Sequence, residues 1–263
     1  MTMRMSSRQI SDQAAGVGSD HSPPPQPAAQ VALHTIKAEL VLAMLLISRH
    51  RTPRLVSFLA LILIALFVWQ DFTRADTLNG FEVGMLLVTT LAVVGCSRLA
   101  SLGGALESNR VVAAPWWVVP AGRLLGAMIL LAPMTLIIGA ALVLGRGNNP
   151  SLASFFGLTM LLAASLGALT LSITPVFGAS SAASVGFALA FFGAVAPSSI
   201  SLMLDKFPPI RNAVVLLWNL LPLPWRAMSW LAGDERFFGV LAFSWIVLGV
   251  AASSWTLSLR YRV

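Results

Sequence analysis

Residues 152–175 read LASFFGLTMLLAASLGALTLSITP, 24 positions without a single aspartate, glutamate, lysine or arginine. A helix rising about 1.5 Å per residue carries such a run across the roughly 30 Å of a bilayer's hydrocarbon. Alanine, serine, glycine and threonine punctuate it from Leu162 to Ser172. Small residues of that kind let helix backbones approach where lipid supplies no hydrophobic drive for association. The stretch therefore reads as a membrane-spanning helix packed among others rather than a lone anchor.

Five more stretches of similar character flank it, at about 55–72, 81–103, 122–145, 180–204 and 237–259. The expectation is an all-α polytopic membrane protein, with a bundle of six transmembrane helices filling residues 53–263. Composition agrees: 57% of the 263 residues are hydrophobic, 10% are charged, and the mean hydropathy is +0.83. Soluble domains carry about a quarter charged residues. A water-soluble fold could not cover this much apolar surface, so lipid is part of the solvent.

Two apolar pieces are too short to span. Around 31–52, Leu33, Ile36, Leu40, Met44 and Ile47 fall on one helical face, with Lys37 and Arg49 near them. That spacing predicts an amphipathic helix lying in the membrane interface. The second piece, 212–221, ends at Pro222-Leu223-Pro224 and runs on through Trp225 to Trp230. It predicts two short re-entrant helices on the outer face, marked by Trp218, Pro222, Pro224, Trp225 and Trp230, with tryptophans at headgroup depth. Residues 1–30 are polar, contain Ser22-Pro23-Pro24-Pro25-Gln26-Pro27 and lack a cleavable signal pattern. They read as a disordered cytoplasmic tail.

The formal charge of +7 comes from basic residues scattered beside apolar stretches, not clustered with aromatics. Attraction to anionic lipid explains it better than nucleic acid does. With the N-terminus inside, nine basic residues, among them Lys37, Arg54, Arg98 and Arg260, lie on the cytoplasmic side and six on the other. The asymmetry predicts a multi-pass protein of the inner or plasma membrane with both termini cytoplasmic.

Chemistry-bearing constellations are absent from the sequence. No pair of carboxylates, no HExxH and no GxSxG falls inside a span, and His21, His34 and His50 all precede the first one. Catalytic, cofactor and metal sites are therefore not expected, and the single Cys96 reads as a buried thiol. Glu82, Arg98 and Arg123 stand near span ends, where long side chains reach the interface. Thr89, Thr90, Ser165 and Thr170 are expected to hydrogen-bond between helices. No GxxxxGK[ST] loop is present, so any use of ATP needs a second polypeptide. Pro133, Pro175 and Pro197 interrupt or close spans, each freeing a carbonyl and allowing a bend.

Between the second and third spans, Ala105-Leu106-Glu107-Ser108-Asn109-Arg110 leads to Ala114-Pro115, and Gly122-Arg123 opens the next helix. This resembles the cytoplasmic segment of permease subunits of ABC-2 type ATP-binding-cassette exporters. There an acidic residue, an apolar turn, a proline and a Gly-Lys or Gly-Arg pair recur at comparable spacing. This chain has Arg110-Val111-Val112 where the family often has a second acidic residue, and Trp116-Trp117 where small or basic residues are common. The plan of an interfacial helix, five spans, two short outer helices and a sixth span is similar over about 32–263.

The resemblance implies a permease that has no nucleotide site of its own, pairs with a second permease protomer and binds a cytoplasmic ABC ATPase. The ATPase-coupling segment would include Glu107, Arg110, Pro115, Trp116, Trp117 and Arg123. Trp116 and Trp117 would either contact that ATPase or lie in the inner headgroup belt. The uniformly apolar bundle suits a hydrophobic or amphipathic substrate. A competing class is a polytopic assembly factor or lipid-modifying membrane enzyme without transport activity.

Overall fold

A computed structural model describes residues 28–49, 78–102, 115–146, 151–231 and 236–260. The stretch 55–72 and the tail before residue 28 lie outside these. The described residues are predominantly helical, with no strand among them. In chain order they are α1 (Ala28–Arg49), α2 (Leu78–Leu102), α3 (Val118–Arg146), α4 (Leu152–Phe177), α5 (Ala179–Phe192), α6 (Pro197–Met203), α7 (Pro208–Leu220), α8 (Pro224–Leu231) and α9 (Phe238–Arg260). Four of them, α2, α3, α4 and α9, are long and apolar enough to cross a membrane, and α5 with α6 forms a pair bent by 98° that makes a fifth only if the two count as one span. The described residues thus form an all-helical bundle whose long apolar helices have the length and composition of membrane spans.

The uncharged run 152–175 is the hub of the bundle. α4 packs against α2, α3, α5, α8 and α9. Ser165, Gly167, Ala168 and Thr170 are buried together with Leu162, Leu166 and Leu171, so α4 is covered on most of its circumference. Its small residues make this possible. Gly249 of α9 rests on the α4 main chain, where a Cβ would come within 2.7 Å of the Ala168 carbonyl. Gly186 of α5 meets Val93 and Thr170 with no room for a methyl group, its virtual Cβ being 2.5 Å from Val93 Cγ1.

Contacts at the helix ends set directions. Phe81 and Phe155 meet near the starts of α2 and α4 with their rings tilted by 58° and centroids 5.3 Å apart. Cys96 meets Gly167 further along, so these two helices run parallel. The end of α3 meets the same end of the bundle through Gly139 and Leu152, while Leu124 near its start meets Gly167. α3 is therefore antiparallel to both. α5 returns along α4 after Gly178, whose φ of 82° makes the turn.

Several expectations change here. The stretch 180–204 is not one straight helix, because α5 and α6 are bent by 98°. Pro197 begins α6 at its first turn, where its missing N–H costs nothing, and the chain breaks before it, at 193–196. Pro133 sits inside α3 without ending it, and α4 continues through Pro175 to Phe177. The hydroxyls of Thr89, Ser165 and Thr170 do not bridge helices: they donate to Met85, Leu162 and Leu166 carbonyls of their own helices. In apolar surroundings that i−3 or i−4 carbonyl is always within reach, so it wins over a partner that must be positioned. Thr135 does both, donating to Leu131 O and touching Met160 Sδ on α4 at 3.5 Å.

Candidate functional site

Two places in the bundle hold polar chemistry inside apolar surroundings. The first joins α1 to α3. α1 lies along α3, in the same direction: Glu39 and then Ala43 face Gly122 and then Gly126. A Cβ on Gly122 would stand 2.8 Å from Glu39 Cβ, and one on Gly126 would stand 2.6 Å from Ala43 Cβ. This is a small-xxx-small contact, and only glycine permits it. The packed face of α1 therefore runs through Ile36, Glu39, Leu40 and Ala43, whereas Leu33 is 53% exposed.

Across that contact Arg123 Nε donates to Glu39 Oε2 at 3.3 Å. The two side chains are only 6% and 5% exposed. Arg123 thus does not reach for the interface but is held among apolar groups by a carboxylate 84 positions earlier. The sequence offered one signal for this partner, an acidic residue four positions before Ala43 in an apolar run, and spacing alone could not pair it. Immediately before α3, Pro115 O accepts from Val118 N and Trp117 O from Ala121 N, so the turn carrying Pro115, Trp116 and Trp117 is bonded into the helix. Trp116 is half-buried and Trp117 is exposed. Glu107 and Arg110 lie outside the described residues.

The second place is the break between α5 and α6. Gly193 is buried against Pro224 and Leu223, and Trp225 N donates to Gly193 O at 3.0 Å. The start of α8 thus abuts the end of α5. Leu221, Pro222, Leu223 and Pro224 are all buried. Two indoles close the remaining carbonyls: Trp218 Nε1 donates to Val195 O at 3.1 Å and Trp245 Nε1 to Leu220 O at 2.6 Å. Arg226 lies over the Trp225 ring, 5.2 Å from its centroid, and reaches Asn219 Oδ1 at 3.5 Å. Trp230 is 40% exposed at the end of α8. Sequence reading singled out the prolines and tryptophans here but missed Gly193 and Trp245, which belong to neighbouring helices.

α7 differs from α8. It has no buried residue, packs on α6, and leaves Ile210, Leu216, Leu217 and Leu220 exposed. Asp205 and Arg211 pair at 3.0 Å near its start. Among the described residues, no group of three or more histidine, cysteine, aspartate or glutamate side chains is placed to hold a metal ion.

No protein-family model matches the chain. No curated protein and no solved structure matches it either.

Proposed function

We propose that this chain is the transmembrane permease subunit of an ABC-2 type exporter, moving a hydrophobic or amphipathic substrate across the inner membrane with energy from a separate ATPase subunit. The observation that carries the reading is the entry to α3. Pro115, Trp116 and Trp117 form a bonded turn directly joined to a helix whose next turns hold Gly122, Arg123 and Gly126 against α1. A short rigid segment of that kind passes on a rigid-body push better than a floppy loop does. The order of elements, a helix on α3, then spans, then short helices between a broken α5 and the final α9, supports the same reading. The bundle would have six crossings with both termini cytoplasmic, and would pair with a second protomer.

The test is co-purification with a co-expressed candidate ABC ATPase. The wild-type chain is expected to retain that ATPase, and the Glu107→Ala/Trp116→Ala variant to lose it. Equal retention by both sinks the coupling assignment. Reporter fusions at residue 263 and within 146–151 test topology, and a periplasmic signal from the C-terminal fusion overturns it.

A further inference from the structure

We infer that α5 and α8 are the two halves of one discontinuous membrane crossing, and that α6–α7 is a strap inserted between them and latched by the indoles of Trp218 and Trp245. The inference comes from helix lengths and contacts, and stands whatever the bundle carries. α5 has 14 residues, about 21 Å at 1.5 Å per residue, which is too short for roughly 30 Å of hydrocarbon. α6 cannot supply the missing length, because it turns away by 98°. α8 can. Its 8 residues add about 12 Å, giving about 33 Å for the two helices together.

Levels along α4 agree. Gly186 lies at Thr170, and α5 runs antiparallel to α4. Gly193, seven residues on, therefore comes level with about residue 163, near the middle of α4. α9 gives an independent check, since Gly249 sits at Ala168 and Trp245, one turn earlier, reaches Leu220 at this same break. α8 packs on α4, α2 and α9, so running on beyond the break it would cover the half of α4 that α5 leaves open. Ala227 of α8 shares one core cluster with Phe238 and Ala242 of α9.

A break inside a membrane is tolerated only if its freed main-chain groups find partners. Here each of three carbonyls has a donor: Gly193 O takes Trp225 N, Val195 O takes Trp218 Nε1, and Leu220 O takes Trp245 Nε1. The first bond joins the two half-helices. The Trp218 bond closes the strap on itself, end to end, and the Trp245 bond ties its far end to α9; between them α6 buries Ile200 and α7 buries no residue. The strap is thus free to lift about 193–196 and 221–223 once the indole bonds open, without dismantling the crossing. Its exposed stripe of Ile210, Leu217 and Leu220, at helical spacing, then stays in lipid.

Two measurements on the full-length protein in lipid test this. Single cysteines in a Cys96→Ala background are probed from each face with an impermeant thiol reagent. Ser181→Cys and Trp230→Cys are expected to label from opposite faces, and Trp225→Cys to stay unlabelled. Labelling of Ser181→Cys and Trp230→Cys from one face, or of Trp225→Cys as fast as Trp230→Cys, overturns the crossing. In hydrogen exchange, Trp218→Phe/Trp245→Phe keeps one aromatic ring at each position and removes the N–H donors with part of each indole. Exchange across 208–220 is expected to rise about tenfold from the loss of two hydrogen bonds, while 155–171 of α4 is unchanged. No change in 208–220, or an equal rise in α4, overturns the latch.

Discussion

Replacing Glu39 by leucine tests what the ion pair to Arg123 contributes. The pair is 3.3 Å long and its side chains are 6% and 5% exposed, so neither charge is screened by water. Removing one partner of such a pair costs about 3–5 kcal/mol, because a charge is left without its counter-charge in an apolar setting. Replacing both by apolar groups of similar volume is often neutral. Arg123 makes a further interaction besides the one to Glu39, so Arg123→Leu carries a cost of its own.

At about 2–4 °C per kcal/mol for a chain of this size, Glu39→Leu should lower the Tm by about 6–20 °C. Glu39→Leu/Arg123→Leu should recover at least half of that fall. The assay is thermal unfolding of purified protein in one detergent, with the four variants forming a double-mutant cycle. Additive shifts, or a Glu39→Leu variant as stable as the wild type, would refute the reasoning, since either outcome means the two charges do not feel each other. The charge-reversed Glu39→Arg/Arg123→Glu variant is a sharper control, expected to be more stable than either of its single reversals.

Gly126→Leu should detach α1, because even a Cβ there would stand 2.6 Å from Ala43 Cβ; protease sensitivity in 28–49 should rise while α4 stays protected. Gly249→Val should lower the Tm by several degrees, since its Cβ would already meet the Ala168 main chain at 2.7 Å. Cys96 is fully buried beside Gly167, so a maleimide should label it only after denaturation; rapid labelling of the folded protein would contradict the packing of α2 on α4.

What the sequence made legible follows the kind of force at work. Spans such as 152–175 declare themselves because lipid solvation acts on each residue separately and sums along the run. Contacts do not sum that way. Gly122 and Arg123 stood out at the start of a helix, yet nothing near them in sequence pointed to Glu39, because an ion pair across 84 positions depends on which helices become neighbours. Without that partner, Arg123 looked like a residue near a span end that reaches for water.

The stretch 180–204 misled for a related reason. Its apolar content satisfies the length rule for a crossing, and hydropathy cannot distinguish a straight helix from one that stops at residue 192. What decides the break is whether the carbonyls it frees can be satisfied, and the donors Trp218, Trp225 and Trp245 on α7, α8 and α9 lie 23, 32 and 25 residues after their acceptors. A local pattern of proline and glycine announces that a bend is possible. Only the distant indoles and the amide of α8 make it affordable inside the bundle, which is why Pro133 leaves α3 continuous while the chain turns ahead of Pro197.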